Sequence, residues 1–139
     1  MSVKIINTEG YGLLAEVEVN GRRLHVMDDF SSLPGELCQR RGIFPGKLMH
    51  NCQPEFDFLE SEEPWTWEDM FLGNPKREKR LVRTGDWAYD AYGTVISIKP
   101  VVVDFGAIQL EIGDFTQDPR CVGEWVLVKI ARLDMTIVC

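Results

Sequence analysis

Two consecutive stretches of this chain hold charged and aromatic residues whose spacing bears on chemistry, and they have opposite sign. Across 48–75 there is no lysine or arginine, while Glu55, Asp57, Glu60, Glu62, Glu63, Glu68 and Asp69 supply seven negative charges. That equals the formal net charge of the whole chain, −7, so the acidity is local. Trp65, Trp67, Met70 and Phe71 lie in the same stretch. Large aromatics rimmed by charge are the composition of interface anchors. The function expected is a non-enzymatic interaction module, of adaptor or inhibitor type, that engages a basic protein surface. Trp65, Trp67 and Phe71 would be its anchors, and Glu62, Glu63, Glu68 and Asp69 would steer association. The plainer account has Trp67, Met70 and Phe71 covering an open end of a β-barrel, since aromatics bury large areas.

Lys76, Arg77, Lys79, Arg80 and Arg83 follow at once. With Trp65, Trp67, Trp87, Tyr89 or Tyr92 as stacking surfaces, they form the alternative site, for single-stranded nucleic acid. Against it stands the acidic total, because affinity for a phosphate backbone comes from cations displacing counterions. The plainer account is a solvated loop that screens the acids before it.

Other chemistry finds less support. Gly42-Ile43-Phe44-Pro45-Gly46-Lys47-Leu48 is a residue short of a phosphate loop, has a proline where an N–H is needed, and puts Leu48 in the hydroxyl position. His50 and Cys52 share a strand face, with Cys38, Cys121 or His25 to complete a zinc set. No Cys-x-x-Cys pair supports that set, so no metal and no cofactor is expected. Nucleophilic catalysis needs a base near Ser or Cys, and the chain has only His25 and His50. His25 is already matched to Glu16 as a cross-strand partner. Asp28-Asp29 and Glu62-Glu63 read as turn and helix-start residues. The expectation is no enzyme.

The elements that position these residues are mostly strands. Leu13, Ala15, Val17 and Val19 alternate with Leu14, Glu16 and Glu18, then Asn20-Gly21 marks a tight hairpin. A two-residue turn pairs 17 with 24 and 15 with 26 on the apolar face. On the other face it pairs Glu18 with Arg23 and Glu16 with His25. Ser32 caps a predicted short helix over 34–41, and strand character returns around Leu48, Phe56 and Phe58. A second short helix is expected in 60–75, with Ser61 as cap, Trp67, Met70 and Phe71 on one face, and Gly73 at its close. Strands are expected again at 95–98, 101–103, 108–112 and from Trp125 onward. The last alternation slips by one between Ile130 and Leu133, the mark of a bulge or a break. Pro100 is expected at an edge or a bulge.

The two ends of the chain resemble each other. Between 21–34 and 106–119 there are four identities in fourteen, where about one is expected by composition. Tyr11-Gly12 matches Tyr92-Gly93, and Gly46 matches Gly123. The architecture expected is therefore all-β, a small barrel or sandwich with an OB-like barrel among its forms. It is a single compact domain over 1–139, with repeats 1–59 and 86–139 joined by a short helical linker, 60–85. With 139 residues and 45% hydrophobic residues the chain builds a core without staples. It lacks a run of about eighteen apolar residues, and Met1–Ile5 is not a signal-peptide start. The expected compartment is the cytoplasm, with Cys38, Cys52, Cys121 and Cys139 reduced.

Overall fold

The computed structural model describes residues 3–31, 48–49, 53–61, 66–113 and 116–138. Among them are ten strands and one short α-helix, with a single 3-10 turn at Pro119–Cys121. In chain order the strands and the α-helix are β1 (Val3–Thr8), β2 (Leu14–Val19), β3 (Arg22–Asp28), β4 (Leu48–Met49), β5 (Gln53–Glu60), α1 (Trp67–Leu72), β6 (Arg80–Arg83), β7 (Tyr89–Ile98), β8 (Val101–Asp104), β9 (Gln109–Glu111) and β10 (Trp125–Val138). The all-β expectation holds. The chain divides into two units, residues 1–58 with 132–139, and residues 59–131.

In the first unit β1, β2 and β3 form an antiparallel meander, β4 pairs with β1, β3 pairs in parallel with β10, and β5 also pairs with β10. The β2–β3 hairpin has the register that alternation dictates: Ala15 opposite Val26, Glu16 opposite His25, Val17 opposite Leu24 and Glu18 opposite Arg23. Asn20 and Gly21 take φ of 50° and 79°, the left-handed pair that matches the twist of the flanking strands. Arg23 reaches diagonally to Glu16, at 3.1 Å, rather than to the residue facing it. Leu13 departs from its expected place in the strand. It lies in a turn closed by its own N–H on the Gly10 carbonyl, and it is exposed. The core is built from Val3, Ile5, Val17, Val19, Val26, Phe30, Leu133, Met135 and Ile137.

At the end of β3, Asp28 organises the turn that follows. Its carboxylate is fully buried and accepts from the Phe30 and Ser31 N–H groups and from the hydroxyls of Ser31 and Thr8. A buried carboxylate is tolerable only when its lone pairs are met in this way.

In the second unit the strand order is β9-β8-β7-β10, with β6 also on β7. Buried alternation along β7, β8 and β10 brings Tyr89, Ala91, Val95, Val101, Val103, Val126 and Val128 together, with Phe105 and Met70. Gly93 is required there. A Cβ at this position would lie 2.8 Å from the Phe105 ring and 2.9 Å from Val103. The sheets of both units are open among the described residues, and the expected barrel does not close.

Three expectations are corrected in detail. The helix cap is Thr66, not Ser61. The Thr66 hydroxyl accepts from the Asp69 N–H and the Asp69 carboxylate accepts from the Thr66 N–H, a reciprocal capping box. Pro100 lies in the two-residue connection between β7 and β8, after a cis peptide bond from Lys99, and the bulge falls at Ile96 instead. A turn position needs no ladder N–H, which suits proline as well as an edge does. Third, of the two readings of the slip between Ile130 and Leu133, the strand break is excluded. The strand β10 is continuous, but it pairs with β7 up to Ile130 and with β3 at Asp134 and Met135. Within the 60–85 segment, Arg80–Arg83 is the strand β6.

Of the repeat, Gly21 and Gly106 both sit in hairpin turns at positive φ. Tyr11-Gly12 lies in a turn, whereas Tyr92-Gly93 lies inside β7. The helix expected over 34–41 and the glycine loop at 42–47 fall outside the described residues, as do 114–115.

Candidate functional site

The acidic stretch is carried by both units. Glu55 and Asp57 point outward from β5 in the first. In the second, Glu68 and Asp69 are exposed on α1, Met70 is buried, Phe71 is half-buried and Leu72 is 73% exposed. Of the expected anchors and steering residues, Glu62, Glu63 and Trp65 lie outside the described residues, and Trp67 is described only as the first residue of α1. Asp69 has a structural task in the capping box. Leu72, which the helical spacing of Trp67, Met70 and Phe71 passes over, is an apolar residue that α1 exposes.

In the first unit, a cleft of about 280 Å³ is lined by Asp29, Glu55, Phe56, Asp57, Asp134 and Thr136. Alternation places Glu55 with Asp57 on one face of β5, and Asp134 with Thr136 on one face of β10, and these strands are paired. Asp29 joins them from the turn after β3, where its N–H is held by the Met135 carbonyl. Arg132 answers Asp134, donating to both of its oxygens, at 2.7 and 3.0 Å. Its hydrogen bonds to Asp134 raise the guanidinium above its ordinary pKa against the opposing effect of burial, helped by the charges of Asp134, Asp29 and Asp57. Three of the four carboxylates, Asp134, Asp29 and Asp57, thus act on the Arg132 guanidinium. Asp29 and Asp134 are invisible to a reading of the local charge run, because they reach the cleft only through the strand pairing.

In the second unit, the basic stretch divides by task. Lys79 is paired with Asp104 at 3.0 Å. The Asp104 carboxyl is pushed up by burial, but the Gly106 N–H and Lys79 outweigh this and hold it below the ordinary carboxylate value. Arg83 donates to the carbonyls of Gly85 and Asp86, at 2.8 and 3.0 Å. Lys76, Arg77 and Arg80 are exposed and make no ion pair among the described residues. Lys76 and Arg80 line a cleft of about 320 Å³ with Asn74, Pro75, Glu78 and Tyr92. Arg80 lies directly opposite Tyr92 in the β6–β7 register.

Asn74, which pattern reading passed over, builds this loop. It is buried, and its amide donates to the carbonyls of Glu78, Gly93 and Val126 while its oxygen accepts from the Glu78 N–H. The Arg77 N–H returns to the Asn74 carbonyl, with Arg77 at φ 52°. The 74–78 loop is therefore closed on itself and tied to β7 and β10. The Asn-Pro dipeptide, a turn signal, was the available clue.

His50, Cys38, Cys52 and Cys139 lie outside the described residues. Cys121 is a free thiol, half-buried, 3.5 Å from the Thr116 hydroxyl. Among the described residues no three of His, Cys, Asp and Glu are grouped to hold a metal ion. No helix among them is long and apolar enough to cross a membrane. Compared with protein-family models, curated proteins and solved structures, the chain matches none.

Proposed function

We propose that this chain is a non-enzymatic interaction module, of adaptor or inhibitor type, that engages a basic protein surface through its acidic, aromatic segment. The observation that supports the reading is the gathering of Asp29, Glu55, Asp57 and Asp134 in one cleft with Phe56, with Arg132 paired to Asp134. A lysine or arginine of a partner gains there both opposite charge and an aromatic wall, the pairing that favours cations at interfaces. The first unit is a fitting frame. Its β1-β2-β3 meander is extended by the parallel β3–β10 contact and by β5 on β10. Architecture alone carries no function, so the reading rests on the carboxylates.

The test compares two variants with the same loss of charge. Glu55→Gln/Asp57→Asn removes two cleft carboxylates, and Glu18→Gln/Glu111→Gln removes two elsewhere. Binding of a labelled lysine-rich peptide is measured at low and at physiological salt. The cleft variant weakens binding about fivefold or more, in the range of close charge pairs, and the control stays within about twofold. Equal losses would mean that the peptide sees only net charge, and the reading would fall.

A further inference from the structure

The second unit carries a site of opposite sign, and it stands independently of the acidic cleft. Its walls are unlike a solvated basic loop in three respects. The loop that presents Lys76 is closed by the four hydrogen bonds of the buried Asn74 side chain, so its backbone is set before any ligand arrives. Lys76 and Arg80 keep their charge unpaired among the described residues, although Lys79, between them in the chain, is spent on Asp104. Beside these cations the cleft is lined by an aromatic residue, Tyr92, by the apolar Pro75 and Val82, and by one carboxylate, Glu78.

We infer that this cleft binds a nucleotide unit. Lys76 and Arg80 take the phosphate, Tyr92 with Pro75 and Val82 offers the base a flat apolar surface, and Glu78 accepts from the sugar hydroxyls. Each part of the ligand meets its complement: cations to phosphate, ring to base, carboxylate to hydroxyl. An acidic peptide matches the cations alone, has no ring for Tyr92 and is repelled by Glu78. A volume of about 320 Å³ falls in the range of small-molecule clefts. The same chemistry comes from a free nucleotide or from one residue of a single strand.

Fluorescence anisotropy of a labelled ten-residue uridine oligoribonucleotide with the full chain reads the site, with unlabelled uridine monophosphate as competitor. Saturable binding is expected at 50 mM salt, and about sevenfold weaker binding at 200 mM for two phosphate contacts on a single strand. Lys76→Ala/Arg80→Ala, both exposed, lowers affinity at least about tenfold. Tyr92→Leu lowers it about fivefold or more, and Lys79→Ala leaves it within about twofold. Competition by the monophosphate identifies a free nucleotide as the ligand; oligonucleotide binding that the monophosphate does not displace identifies a strand. No binding at 50 mM salt, full binding by the Lys76/Arg80 variant, or equal affinity for a labelled ten-residue glutamate peptide would overturn the inference.

Discussion

Lys79 and Arg80 are chain neighbours of the same charge, and the sheet gives them different surroundings. Lys79 meets Asp104, whose carboxylate also takes the Gly106 N–H, whereas Arg80 faces the Tyr92 position on β7. One basic run in the sequence is thus a structural pair, a turn lock at Arg83 and an open cation site. The structural pair has a sign in pH. Asp104 titrates lower folded than unfolded. Its contribution is therefore present above the unfolded carboxylate value, about 3.9, and is lost as pH falls through the lower folded value. Asp104→Asn should be less stable than the native chain at pH 6, by no more than about 1 kcal/mol for a pair with Lys79 half in solvent. That gap should shrink below about pH 4. Urea midpoints at pH 6 and pH 2.5 check it, and a gap of the same size at both would refute the assignment.

At the scale of elements, α1 is six residues long, too short to persist by propensity alone. What holds it is Met70 in the core, Gly73 close against Leu127, and the reciprocal bonds of Thr66 and Asp69. Thr66→Ala removes one of those bonds and should lower the stability of the second unit by about 1 kcal/mol. Thr66→Ser keeps the hydroxyl and should recover most of the loss, as read from urea midpoints. This helix also shows what was legible beforehand. Trp67, Met70 and Phe71 spaced for a helix, and Gly73 after it, were visible in the sequence. The cap was not, because Ser61 and Thr66 are both competent N-caps and only tertiary placement of Met70 chooses between them. The β2–β3 hairpin was legible to the residue, because alternation, Asn20-Gly21 and charge pairing all demand one register. The sites were less so. Glu55 and Asp57 were read as local charge, but Asp29 and Asp134 join them through the placing of β10 beside β3 and β5, a long-range pairing that no local pattern encodes. Asn74 was missed for a similar reason, since two of its four hydrogen bonds, to Gly93 and Val126, go to strands far along the chain.

For the molecule as a whole the decisive strand is β10. Its first half buries Val126, Val128 and Ile130 in the second unit, and its second half buries Leu133, Met135 and Ile137 in the first. Alternation shifts phase at Ala131-Arg132, where the strand leaves β7 behind and goes on to pair with β3. Each unit thus relies on its own half of one strand for both core volume and ladder hydrogen bonds. A cavity cut in one half should therefore loosen that half's unit first. Leu133→Ala removes a fully buried side chain at a cost of about 2–5 kcal/mol. It should speed amide exchange in β2 and β3 more than in β7 and β8. Val128→Ala should do the reverse, with a smaller effect because fewer methyl groups are lost. Hydrogen-exchange mass spectrometry resolves the two regions. Equal acceleration of both in either variant would mean that the chain opens as one cooperative body. The pattern expected here has two units that open separately along one continuous strand, so that the acidic cleft and the basic cleft are lost in different variants.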